Sequence, residues 1–201
     1  MNYKNENNVA DRNLVDKVLH GDTNAFRFII KNTEGLIAQI VFKMIANADD
    51  RKDIVQDIYL KTFQKLGSFK FQSKLSTWIA QIAYNTCINY LEKKKFLLTG
   101  NINYDYEDEA VETLNSKIDF FNNETEKIIF KKELSTILKT EIDKLSPVYK
   151  TLITLYHNED FSYLEIAEIT ELPEGTVKNY LFRARKTLRD NLLLTYKKEA
   201  L

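Results

Sequence analysis

Apolar residues along this chain recur at steps of three and four far more often than at two, which predicts helices and no sheet. Toward the C-terminus the pattern resolves into three elements. Ser146-Pro147 reads as an N-cap with proline at the first helical position, opening a helix over VYKTLITLYH that ends near His157. Ser162 and Glu165 have the spacing of a capping box, which starts a short helix over roughly 163–170. The segment TELP then turns the chain, and a third helix begins about Glu174. At about 100° per residue, Val177, Leu181, Ala184 and Leu188 of this third helix share one narrow sector. Thr176, Asn179, Phe182, Arg183 and Lys186 lie opposite, and Lys178, Arg185 and Arg189 flank the stripe. Two helices joined by a tight turn, the second one basic, fit a helix-turn-helix. The hydroxyl, amide and guanidinium groups on the outer face can read base edges, and the flanking cations suit phosphates.

The first half carries a second amphipathic pattern, DDRKDIVQDIYLKTFQKL over 49–66. Ile54, Ile58 and Phe63 fall on the side expected to be buried, while Asp49, Asp53 and Asp57 recur at four-residue steps elsewhere, with Gln56 beside them. Stacked like charges weaken an isolated helix slightly, so a basic partner surface would explain them. A metal site and a plain solvated face are the competing readings. Residues 67–95 interleave Phe69, Phe71, Trp78, Tyr84 and Tyr90 with Lys70, Lys74 and Lys93 to Lys95. Aromatics can stack on unpaired bases while cations follow the backbone, as single-strand binders do. Tyr84 falls near Ile88 and Leu91 and reads as core instead.

Composition narrows the class. A chain of 201 residues makes one ordinary domain or two small ones, and 44% apolar with 29% charged residues are globular values. Five glycines and two prolines leave room for few tight turns, and no repeat of fixed period is present. The zero net charge hides three zones: a balance of +5 over 1–95, −7 over 96–126 and +2 over 127–201. The acidic zone, rich in Asn, Asp and Glu, reads as a flexible linker between two helical lobes. It is either a tether or a segment that lies against basic surfaces of the lobes. With one cysteine (Cys87) and two distant histidines (His20 and His157), neither a disulfide framework nor a zinc site is expected, and no cofactor is implied. The polar N-terminus lacks a signal-peptide core and no apolar run reaches bilayer length, so a soluble cytoplasmic protein is expected. No nucleophile–base pair or glycine-rich phosphate loop is found, so the chain is not expected to be an enzyme.

The stretch LSPVYKTLITLYHNEDFSYLEIAEITELPEGTVKNYLFRARKTLRDNL resembles region 4 of bacterial sigma factors of the extracytoplasmic-function class. DIVQDIYLKTF resembles region 2.2 of the same class, HGDTNAFRFIIKNTEGLIAQIVFKMI resembles region 2.1, and 67–95 is similar to regions 2.3 and 2.4. The resemblance implies an all-α protein of two small domains, region 2 over 10–95 and region 4 over 127–197, joined by the acidic linker 96–126. It implies that Asp53, Gln56 and Asp57 bind RNA polymerase core, whose beta-prime and beta subunits would be partners. It places the −10 element on Phe69, Lys70, Phe71, Lys74, Trp78, Asn85 and Asn89. The −35 element would fall to Thr176, Lys178, Asn179, Arg183, Arg185, Lys186 and Arg189. Promoter DNA and an anti-sigma factor are the other partners implied. The chain departs from the family pattern at two positions where glycine is common, Phe71 and Glu171, and at Leu75, Asn89 and Glu92. A stand-alone helix-turn-helix regulator of duplex DNA is the alternative, and an interaction module that titrates a regulator is a third reading.

Overall fold

The structure, a computed structural model, describes residues 3–99 and 135–199, with side chains over 9–95 and 135–194. Helices α1 (Tyr3–Leu19), α2 (Thr23–Met44) and α3 (Ala48–Lys65) lead through a 3-10 turn (Leu66–Ser68) to α4 (Leu75–Thr99). A helix described over 135–144, here α5, precedes α6 (Pro147–His157), α7 (Tyr163–Thr170) and α8 (Glu174–Glu199). No strand occurs among the described residues. Nor, among them, is any helix long and apolar enough to cross a membrane. Of the expected linker, 96–99 belongs to the end of α4, and 100–126 lies outside the described residues.

Local chemistry sets the helix ends. Gly21 takes φ +95° after α1, a left-handed conformation free of strain only for glycine. Asp22 then caps α2, its carboxylate accepting from the backbone N–H of Asn24 (2.9 Å) and Ala25 (3.2 Å). Asn47 caps α3 through the N–H of Asp49, and Ser146 caps α6 ahead of Pro147. The capping box at α7 is formed in both directions: Ser162 Oγ accepts from the N–H of Glu165 (3.3 Å), and Glu165 Oε2 accepts from the N–H of Ser162 (3.0 Å).

The start of α4 has a different solution. Its first N–H, that of Leu75, donates to Asp11 Oδ2 of α1 at 3.0 Å, so the cap comes from a distant helix. Asp11→Ala should therefore lower stability by about 1 kcal/mol, and Asp11→Asn by less, as read from urea denaturation midpoints.

Helix α2 is central, packing against α1, α3 and α4 of its own lobe and against α6 of the other. Ile29, Ile37, Ile40, Val41 and Met44 bury its inner face, and Ile54 and Ile58 of α3 with Ile79, Ala80 and Ala83 of α4 complete that core. In the second lobe Leu152 and Leu155 meet Ile166, Ile169, Val177, Leu181, Ala184 and Leu188, the stripe read from the periodicity. The two cores form one continuous apolar cluster, because α6 lies on α2 and α7 on α4.

Phe63 departs from expectation: it is 50% exposed, its ring edge-on to Phe26 at a centroid distance of 5.1 Å. Thr62 takes the core position instead, its hydroxyl satisfied by the carbonyl of Ile58 at 2.8 Å. A threonine that returns its hydrogen bond to its own helix is buried at little cost, and the wheel then turns Phe63 to the margin.

Candidate nucleic-acid interface

The loop before α4 is built by aromatic packing. Phe69 is buried, its ring 4.7 Å from Phe71 and 5.1 Å from Trp78 between centroids. The Arg12 guanidinium of α1 covers the Phe71 ring at 5.0 Å. Phe71 itself has φ +56°, a left-handed conformation that explains why glycine is common at this place. Phe69, expected among the base-contacting residues, is 6% exposed and lines the first cleft beside Trp78, with most of its ring held in this packing. Trp78 is half-buried, and its remaining face lines two clefts along α4.

The first cleft, of about 430 Å³, is walled by Ser68, Lys70, Gln72, Trp78 and Gln81. That volume is in the range of small-ligand clefts and admits a nucleobase. The second, about 240 Å³, continues past Trp78 to Asn85 and Asn89, with Lys61 and Lys65 of α3 across from them. Lys61 and Lys65 escaped the sequence reading, although their four-residue spacing already places them on one face of α3. Lys74 is exposed at the loop end. Tyr90 does not join this surface: its hydroxyl donates to Asp50 of α3, and Lys94 Nζ donates to that hydroxyl at 3.0 Å. The Tyr90 hydrogen bond, with help from Lys94, holds the Asp50 carboxyl below its ordinary value. Cys87 is fully buried, and burial pushes its thiol up to about 12, which leaves it unreactive.

The second lobe reaches both clefts through acids of α7 and of its C-cap, Glu171. Glu165 accepts from Lys74 Nζ at 2.8 Å, Gln81 donates to Glu171 at 2.9 Å, Glu168 faces the first cleft and Glu171 the second. Burial would raise the Glu165 carboxyl, but hydrogen bonds from Lys74 and Ser162 outweigh it and hold that group below the usual carboxylate value. The acidic linker, read either as a tether or as a segment lying against basic surfaces, falls outside the described residues from 100 to 126.

On the outer face of α3, Asp53 and Gln56 are exposed and Asp57 is half-buried, paired with Lys61 at 2.7 Å. Leu60, 57% exposed, extends this face by one turn, and the sequence reading missed it. Asp49, Asp53 and Asp57 do not converge: among the described residues no three His, Cys, Asp or Glu are placed to hold a metal ion.

In the second lobe the turn between α7 and α8 is closed by Glu171 at φ 57°, ψ 26°, the left-handed position where glycine is usual. On α8, Lys186 and Arg189 are exposed, while Thr176, Asn179 and Arg183 are half-buried. Asn179 Oδ1 is buried with no hydrogen-bond partner. Lys178 pairs with Glu174 at 2.6 Å and lies 5.6 Å over Tyr163. Arg185 lies 5.0 Å over Tyr156 and donates from Nε to His157 Nε2 at 3.3 Å. Burial, and then the neighbouring Arg185, lower the His157 value. The stacked pair Tyr156–Tyr163, 4.8 Å apart, therefore supports two of the flanking cations from beneath.

These arrangements have close counterparts. Residues 29–96 match the family model Sigma-70 region 2, and residues 135–188 match Sigma-70, region 4. The ECF RNA polymerase sigma factor SigW of Bacillus subtilis is 32% identical over 180 residues, 89% of this chain and 94% of that protein. The ECF RNA polymerase sigma-E factor of Escherichia coli is 31% identical over 183 residues, 90% of this chain and 93% of its own length. Among solved structures, the sigma factor RpoE of Bartonella quintana, in complex with the anti-sigma factor NepR, superposes with a TM-score of 0.59 at 22% identity, covering 83% of this chain and 96% of that one. Two ordered region matches, at opposite ends of one chain and on the two lobes described, leave a single conclusion: the chain belongs to the sigma-70 family, in its extracytoplasmic-function class.

Proposed function

We propose that this sigma factor joins RNA polymerase core through the outer face of α3, holds the unpaired −10 strand along α4, and reads the −35 duplex with α8. The observation that carries this is the division of surfaces between the lobes. An acid-and-apolar ridge of Asp53, Gln56, Asp57 and Leu60 fits a basic partner with apolar contacts. Clefts edged by Trp78, Lys70, Asn85 and Asn89, with Lys74 exposed at the loop end, offer an aromatic face among cations and amides, which suits single-stranded bases. The outer face of α8 carries Thr176, Asn179 and Arg183 for base edges, and Lys178, Arg185, Lys186 and Arg189 for phosphates. Region 2 would span 10–95 and region 4 127–197, with the linker between them. The beta-prime and beta subunits of the core, promoter DNA and an anti-sigma factor are the partners, the last supported by the complexes in which similar folds have been solved. A stand-alone duplex-binding regulator is not favoured, because residues 29–96 match region 2 rather than a dimerisation or sensor domain.

The experiment is run-off transcription with purified core. Added chain should yield discrete transcripts from a −35/−10 promoter, and Trp78→Ala should cut open-complex formation by about tenfold, the loss of one stacked base. Tight operator binding without any polymerase-dependent transcript would overturn the proposal.

A further inference from the structure

We propose that Tyr156 and Tyr163 form, with Lys178 and Arg185, a seat for one phosphate of the −35 duplex, to which both tyrosyl hydroxyls donate alongside the two cations. This rests on the assignment of α8 to that duplex. Three helices of the second lobe meet at the seat. Tyr156 stands in the last turn of α6, Tyr163 opens α7, and Lys178 and Arg185 lie two turns apart on α8. The tyrosine rings stack at 4.8 Å between centroids and 18° between planes. Arg185 lies 5.0 Å over the first ring and Lys178 5.6 Å over the second. A hydrogen bond with Tyr156 holds the Tyr163 hydroxyl below its ordinary value; burial opposes this, and Arg185 and Lys178 reinforce it. Two hydroxyls and two cations therefore share one small surface.

That surface flanks the base-reading face of α8. Lys178 lies about 100° around the helix from Asn179. In a helix-turn-helix the first helix crosses the DNA backbone, and Tyr163 is the first residue of α7. Arg185 is fixed in place through Nε, which donates to His157 Nε2 at 3.3 Å and leaves the donors on its terminal nitrogens for other acceptors. His157 can accept this bond because burial, and then Arg185 itself, lower its value and keep the ring neutral near neutral pH. Lys178 is held by Glu174 at 2.6 Å, an exposed pair of the kind that contributes little and that a phosphate can displace. Rings alone would support the cations equally well. The hydroxyls add something an anion uses: a hydroxyl donating to a phosphate oxygen makes a charge-assisted bond without adding charge to the chain.

The test uses holoenzyme made from purified core and the full-length chain. Its promoter fragments each carry one backbone phosphate of the −35 duplex replaced by an uncharged methylphosphonate. One such replacement should weaken wild-type binding about tenfold. Tyr156→Phe with Tyr163→Phe keeps both rings and both cation–π contacts but removes the hydroxyls. On the unmodified promoter this variant should bind about five- to tenfold more weakly. Its −35 sequence preference and its slope of log K against log salt should not change, since no charge is lost. At the sensitive phosphate its penalty should shrink to about twofold, while penalties elsewhere stay as in wild type. Arg185→Ala should shrink the penalty at that same phosphate and also lower the salt slope by about 1. If the double variant keeps the full penalty at every phosphate, or binds the unmodified promoter as wild type does, the tyrosines only support the cations and the seat is refuted. Tyrosines and Arg185 acting at different phosphates refute it as well. Wild-type holoenzyme whose binding ignores the −35 sequence would instead remove the assignment of α8, a result distinct from the others.

Discussion

Asp53→Lys combined with Asp57→Lys should abolish association with RNA polymerase core, a loss of about 4 kcal/mol or a thousandfold in affinity. Both carboxylates lie on the outer face of α3, next to Gln56 and the exposed Leu60, so a partner docked on this face would meet them together. Reversing them sets two cations against a basic surface, where juxtaposed like charges cost several kcal/mol. The folded chain should hardly notice. Asp53 is exposed, and the Asp57–Lys61 pair is a helix-surface contact worth only a few tenths of a kcal/mol. Circular dichroism should keep the wild-type helical signal while core is no longer retained in size-exclusion chromatography. Undiminished affinity for core in a folded variant would refute the assignment of this face.

On α8 two neighbouring cations should behave differently. Arg183→Ala should change which −35 sequences are used, with a loss of roughly 1–3 kcal/mol on the best one, because a bidentate contact to a base edge is sequence-specific. Lys186→Ala should weaken every duplex alike and reduce the slope of log K against log salt by about 1, the mark of one phosphate contact. The structure gives a physical reason for the split: Arg183 is half-buried on the helix face, and Lys186 is exposed. Selection from a randomised −35 library, repeated at three salt concentrations, separates the two. If both substitutions scale all sequences equally, the division of labour along α8 is wrong.

What the chain revealed without its structure followed the range of the interactions. The ends of α6, α7 and α8 were legible because their signals are local: Ser146-Pro147, the Ser162–Glu165 box and the stripe from Val177 to Leu188 each lie within a few turns. Phe63 was placed wrongly because periodicity ranks a phenylalanine above a threonine and cannot see Thr62 returning its hydrogen bond. Phe69 and Trp78 look alike in composition, and only packing decides that Phe69 is buried against Phe71 while Trp78 keeps a face on both clefts. Lys74 with Glu165 and Gln81 with Glu171 left no trace at all, since each pair joins segments on opposite sides of the linker. The left-handed turn at Glu171 was visible as a departure from glycine, but the hydrogen bond its carboxylate accepts from Gln81 was not.

The cap that Asp11 places on α4 has a practical consequence for anyone shortening this protein. The region 2 match begins at residue 29, past the whole of α1. A fragment cut there keeps every residue expected to touch the −10 strand. It loses the acceptor for the first N–H of α4, the buried Val15 and Val18, and the guanidinium over Phe71. The amide protons at the head of α4 would then exchange fastest, and the aromatic loop before it would lose its shape. A deletion series from the N-terminus should accordingly show promoter melting fail before polymerase attachment does, as soon as the cut passes Asp11. Such a result would look like the removal of a DNA contact, when what has gone is the scaffold that sets one.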